Sequence, residues 1–160
     1  MVVTVDIDGA GIHPPNKIDV GRRLASWTLA KDYGKQIAFS GPVFGRQEVQ
    51  GDKIVVCFKH VESGLMIATK DGLSAPREAS DAELTHFELA DKTGIWWPAK
   101  AMIGGKTVVV TSDKVPQPVA VRYAYAVSPE NCNLYNRDGL PASPFCSEPG
   151  LLQYDPRLPR

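Results

Sequence analysis

Hydrophobic residues follow two different periods along this chain, and the change falls close to residue 40. Residues 2–7 are β-branched and apolar enough to predict a buried strand. Asp8, Gly9, Gly11 and the pair Pro14-Pro15 then force a loop. Beyond the loop Ile18, Val20, Leu24, Ala25, Trp27 and Leu29 recur at three-to-four spacing, with Lys17, Arg22, Arg23 and Lys31 between them, which predicts an amphipathic helix. Asn16 is placed to cap its start and Gly34 to end it. Burying Leu24, Trp27 and Leu29 is worth roughly 1.5–3 kcal/mol each. The apolar stripe is therefore expected to cover part of the chain beyond residue 40 or to drive self-association.

After Gly34 the period becomes two. Residues 43–49 lead through Gly51-Asp52 into 53–59, and 99–103 lead through Gly104-Gly105 into 107–111, both with the signature of β-hairpins. Residues 65–68, 85–89 and 119–126 add further strands. About seven short strands separated by Gly, Pro, Asp and Asn turns predict a β-sandwich or jelly roll. From 128 to 160 the chain is dense in Pro, Asn and Gly, which predicts an irregular tail. One strand and one helix cannot bury each other's apolar faces. Residues 1–39 therefore read as the last strand-loop-helix of a larger α/β domain, and residues 40–160 as a β-sandwich with its tail. The alternative is that the helix packs on the sandwich to make a single domain.

Lys plus Arg and Asp plus Glu are equal at 18 each, so no long-range positive field exists to hold a nucleic acid or an anionic membrane surface. No apolar run approaches the ~20 residues that a membrane-spanning helix needs, and the amino terminus does not read as a signal peptide. Of the three cysteines, Cys57 lies in an apolar strand, whereas Cys132 and Cys146 lie in polar loops where a disulfide is geometrically possible. Three free thiols are the expectation.

Several separated motifs carry a more specific signal. Val5-Asp6-Ile7-Asp8, Ile12-His13-Pro14-Pro15-Asn16-Lys17 and Val20-Gly21-Arg22-Arg23-Leu24-Ala25 stand near the start. Ser40-Gly41-Pro42, Trp97-Pro98-Ala99-Lys100-Ala101 and Pro118-Val119-Ala120-Val121-Arg122-Tyr123-Ala124 come next. Asn133-Leu134-Tyr135-Asn136 and Gly139-Leu140-Pro141-Ala142-Ser143-Pro144-Phe145 complete the series. In this order they resemble the carboxy-terminal portion of the sialate O-acetylesterase family, carbohydrate esterases of the SGNH hydrolase group. The resemblance implies a mainly β chain: a β-sandwich or jelly-roll module preceded by the strand-loop-helix remnant of an α/β SGNH domain. It also implies an acetylated carbohydrate as partner, from sialic acid or a plant polysaccharide. Members are often secreted or periplasmic.

In that family the His of the Ile-His-Pro motif is the general base of a serine esterase, which corresponds to His13. A histidine with an ordinary pKa of ~6.5 can take a proton from a serine hydroxyl near neutral pH and return it to the leaving alcohol. Many SGNH hydrolases carry an Asp three positions before the His, but Ala10 stands there. Asp8 and Asp6 are the nearest carboxylates; Asp8, at the predicted strand end, is preferred, and an acid outside this chain, or none, is the alternative. The family's nucleophile lies in a Gly-Gln-Ser-Asn-Met type turn upstream of the histidine, and nothing like it occurs here. Gly72-Leu73-Ser74-Ala75-Pro76 starts like a nucleophile elbow, but Pro76 breaks the pattern and Ser74 reads as a turn residue. The chain is thus expected to be inactive alone, its partner being the SGNH portion that it lacks.

His60 and His86 have no ligand spacing with Cys57 or Glu88, so neither a metal nor another cofactor is expected. His60 reads as a strand-end residue, and His86 as an outward residue alternating with Leu84 and Glu88. Trp96 and Trp97 are adjacent, so in an extended strand they point to opposite faces, and the exposed one offers a stacking platform for a sugar ring. They are the candidate substrate-binding residues. A second reading of the whole chain is a stand-alone, non-catalytic carbohydrate-binding or structural β-sandwich.

Overall fold

Alternation of inward apolar and outward residues in its two central strands builds the first sheet. A computed structural model describes residues 2–7, 16–126 and 129–151. In it Val43–Gln50 (β1) and Lys53–Lys59 (β2) form an antiparallel hairpin. Gly51 closes the hairpin turn at φ +67°, a conformation that a residue without Cβ adopts at no steric cost. Lys100–Gly104 (β7) and Thr107–Thr111 (β8) form a second hairpin, and β8 pairs with β2 to give the order β1-β2-β8-β7. Ile54, Val56 and Phe58 of β2 and Val108 and Val110 of β8 turn inward, every second residue, as the pleat requires.

Facing them is a sheet of four strands: Phe87–Ala90 (β5), Trp96–Pro98 (β6), Ala120–Tyr123 (β9) and Phe145–Cys146 (β11), in the order β11-β9-β5-β6. Phe87, Leu89, Val121 and Tyr123 share one buried cluster with the inward residues of the first sheet. Phe145 enters this core from the tail, stacked on Phe44 at 4.8 Å between ring centroids and edge-on to Phe58 at 5.8 Å. A third antiparallel sheet joins Leu65–Thr69 (β3), Arg77–Glu78 (β4) and Leu134–Asn136 (β10). The protein is therefore mainly β, a sandwich of antiparallel sheets with an amino-terminal helix. The chain passes from the second sheet to the first at Ala99, between β6 and β7, so one extended segment ties the two layers.

The helix, Lys17–Lys31 (α1), starts where Asn16 accepts a hydrogen bond from the Asp19 backbone N–H at 3.0 Å. Its docking differs from the expected apolar stripe. Arg23 is 7% exposed and Trp27 is half-buried, with its ring edge-on to Phe39 at 4.9 Å. Ile18, Leu24 and Leu29 remain 52%, 52% and 41% exposed. The anchor is ionic, because the Arg23 guanidinium reaches the Asp6 carboxylate with two hydrogen bonds of 2.7 and 2.6 Å.

That pair also corrects the expected first strand. Residues 2–7 form no strand; residues 5–7 make a turn, with Ile7 N–H donating to Thr4 C=O at 3.1 Å. No described strand lies alongside to complete a ladder. The Val3 carbonyl instead accepts from Arg23 at 2.7 Å. Leu84, expected outward with His86 and Glu88, is buried, because the alternation begins only at Phe87.

Between helix and sandwich the chain passes through Ser40-Gly41-Pro42, where Gly41 lies against the backbone of Leu140 and Pro141. A Cβ on Gly41 would stand 2.0 Å from the Pro141 carbonyl oxygen, which backbone geometry does not allow. Gly41→Ala is expected to cost about 3 kcal/mol, at the upper end of overpacking losses, because main chain rather than a flexible side chain must move. A urea midpoint unchanged from the parent would show that the two segments separate freely.

Candidate functional site

The stretch that bears His13 and Asp8 lies outside the described residues, but both its ends are held. On the entering side, Asp6 accepts from Arg23 and, at 3.0 Å, from the Tyr135 hydroxyl; burial and the Asp6 charge push the Tyr135 hydroxyl far above its ordinary range. Asp6 thus accepts three hydrogen bonds, two from Arg23 and one from Tyr135. On the leaving side, the Asn16 amide donates to Asp19 at 2.6 Å and to the Gly72 carbonyl at 3.0 Å. Lys70 completes this network, pairing with Asp19 at 2.7 Å and donating to the carbonyls of Gly72 and Ser74. Ser74 is thus a turn residue, its backbone engaged by Lys70 and Asp71. A cavity of about 330 Å³ opens here, lined by Asp6, Ile7, Asn16, Ile18, Lys70 and Leu73 among others.

The Asp19 carboxyl is held below the usual carboxylate range. Burial alone would raise it, and hydrogen bonds from Lys70 and Asn16 with the charges of Lys70 and Arg23 outweigh that. A depressed folded-state pKa stabilises the fold above the unfolded value, about 3.9, and that contribution is lost as pH falls through the folded value. Stability measured by urea denaturation is therefore expected to fall below about pH 4, with a shallower fall in Lys70→Met. Identical pH profiles for the two proteins would remove Asp19 from this role.

A larger cleft, about 560 Å³, runs between the carboxyl end of α1 and the sandwich. It gathers His60, Ser63 and Asp138, the residue types of a hydrolase triad. Their geometry is not that of a triad: Ser63 donates to Asp138 at 2.6 Å, and the His60 ring lies edge-on to Phe39 at 5.2 Å. His60 directly follows β2 at φ +60°, a left-handed turn that ends the strand. His86 also has positive φ, and its ring pairs with the Glu130 carbonyl. Pattern reading missed this cleft, since its walls come from three distant stretches.

The two tryptophans take opposite sides of β6. Trp96 is 4% exposed; its indole N–H donates to the Leu151 carbonyl at 3.2 Å and its ring lies under the Arg122 guanidinium at 4.5 Å. Arg122 is itself buried, paired with Glu88 at 2.7 Å and flanked by Tyr125. Trp96, a candidate sugar platform in the sequence, is thus enclosed; Trp97, 37% exposed, is the tryptophan that meets solvent.

Cys57, Cys132 and Cys146 are free thiols. Burial pushes Cys132 up to about 11, so at neutral pH it stays protonated and is no nucleophile. Among the described residues no group of three or more His, Cys, Asp or Glu side chains is placed to hold a metal ion. No helix among them is long and apolar enough to cross a membrane.

No protein-family model matches the chain, and no curated protein does. Among solved structures the chain is similar to a carbohydrate acetylesterase from Xanthomonas citri, with a TM-score of 0.78 and 38% sequence identity over 90% of this chain. The chain spans 31% of the length of that protein.

Proposed function

We propose that the chain is the carboxy-terminal part of a carbohydrate acetylesterase of the sialate O-acetylesterase type. In this reading residues 1–39 complete an SGNH catalytic domain and residues 40–160 form its accessory sandwich. The likeness at 38% identity to an acetylesterase, across 90% of this chain, carries the reading. His13 acts as general base toward a serine supplied by the catalytic portion: it accepts the hydroxyl proton as the serine attacks the acetyl carbonyl, then protonates the departing sugar hydroxyl. Asp8 orients the imidazole. Water releases acetate from the acetyl-enzyme by the same proton path.

The outer side of α1 supports a docked catalytic portion. Ile18, Ala25 and Leu29, spaced i, i+7, i+11, form an exposed apolar line on the side of the helix away from Arg23 and Trp27. Leaving it in water forgoes stabilisation that a covering domain recovers. The second reading, a stand-alone carbohydrate-binding sandwich, draws support from a core built mainly from strand residues and with none from α1, with Trp97 outward.

The two readings separate in a chimera in which this chain replaces the corresponding third of the Xanthomonas acetylesterase. Hydrolysis of acetylated xylan or 4-nitrophenyl acetate within about tenfold of the parent supports the esterase reading. A folded, inactive chimera, together with saturable glycan binding by the chain alone, supports the module.

A further inference from the structure

We propose that the cleft between the carboxyl end of α1 and the sandwich is a saccharide subsite for a neutral sugar chain. This deepens the carbohydrate reading and rests on it. The cleft volume, about 560 Å³, falls within the range of small-ligand sites.

Its floor is fixed. Phe39 is held edge-on by Trp27 and His60, and Lys31 Nζ sits 4.3 Å over its ring, so the ring is fixed in place and one of its faces is covered by the ammonium. Asn136, 1% exposed, secures the walls, donating to the Ser40 and His60 carbonyls at 3.0 and 3.1 Å.

Around this floor stand Lys31 and Lys35 from the helix side and Glu62 and Asp138 from the sandwich side. The charges cancel, with donors on one side of the cleft and acceptors on the other. A sugar hydroxyl both donates and accepts, so it can bridge an ammonium and a carboxylate at once. The side chains of Lys35 and Glu62 have no hydrogen bond or ion pair among the described residues, which leaves their full capacity for a ligand.

The same arrangement disfavours an anionic sugar. The carboxyl end of a helix carries partial negative charge, and here it adds to a cleft with no net positive side-chain charge to offset it. A sialic or uronic carboxylate would give up hydration in this cleft without net attraction in return; a neutral backbone bears no such cost. The geometry thus points to a neutral polysaccharide rather than a sialylated one.

Titration of the chain with xylohexaose and mannohexaose, followed by NMR and calorimetry with sialyllactose as the anionic counterpart, tests this. Saturable binding of a neutral hexaose is expected, with shifts at residues 31–39, 60–63 and 136–138. Glu62→Gln and Lys35→Met, both at exposed positions where folding tolerates change, should each weaken it about tenfold. Sialyllactose binding as tightly overturns the neutral assignment. Binding abolished in Trp97→Ala but intact in Glu62→Gln moves the site to β6, and no saturable binding of any of the three removes the subsite. The titration needs no turnover, so its failure is distinct from failure of the esterase chimera.

Discussion

In the acetylesterase chimera, His13→Ala is expected to lower kcat by about 10⁴-fold or more with little change in KM, because the imidazole acts only as the hydroxyl proton is transferred. The serine hydroxyl, ordinarily un-ionised at neutral pH, has no other base to receive its proton, and the departing sugar alkoxide has no acid. Asp8→Asn probes the orienting carboxylate separately. A large loss in Asp8→Asn assigns that role to Asp8, and an unchanged kcat leaves it to another acid or to none. A His13→Ala chimera with parental kcat would end the esterase reading for this chain, since no described His–Ser pair offers the same chemistry.

The second large effect concerns folding. Arg23→Met is expected to cost about 3–5 kcal/mol, the penalty for breaking a buried ion pair while one charge stays inside. The Asp6 and Arg23 side chains are 1% and 8% exposed, so water does not screen the carboxylate that is left behind. The Val3 carbonyl also loses its donor. Set against a typical domain stability of about 5–15 kcal/mol, this releases α1 or unfolds the whole protein. The double variant Asp6→Leu with Arg23→Met should recover much of the loss, because no buried charge remains. Urea denaturation read by tryptophan fluorescence gives both values; a loss under about 1 kcal/mol for Arg23→Met would place the pair among weak surface bridges.

How far the sequence reached depends on how local each signal is. The two hairpins were legible because alternation and Gly turns lie within a few residues of each other. β10 and β11 were not: Tyr135 pairs with Met66 and Phe145 with Tyr123, so two- and three-residue strands inside a Pro-rich stretch gain their identity from partners far along the chain. Residues 2–7 failed in the opposite sense. Their β-branched composition imitates a strand, but Asp6 is claimed by an arginine on the following helix, which no period reveals. Of the candidate site residues, His13 and Asp8 came from resemblance to a family rather than from pattern. The cleft beside His60 was invisible, since Lys35, Glu62 and Asp138 share no motif and meet only in the fold.

The two tail strands also set an order of events during synthesis. β10 pairs along one side of β3, and β11 along one side of β9. Until residues 134–146 have left the ribosome, those two strands present unpaired N–H and C=O groups, a template for pairing with another nascent chain. The hairpins β1-β2 and β7-β8 close on themselves as soon as they are made, whereas Phe145 has to cross back over about 100 residues to stack on Phe44. The carboxy-terminal residues therefore act as a seal. A ribosome stalled before Leu134 would release a sandwich with most of its core and two open edges, and such an intermediate needs a chaperone more than either the hairpins or the finished protein does.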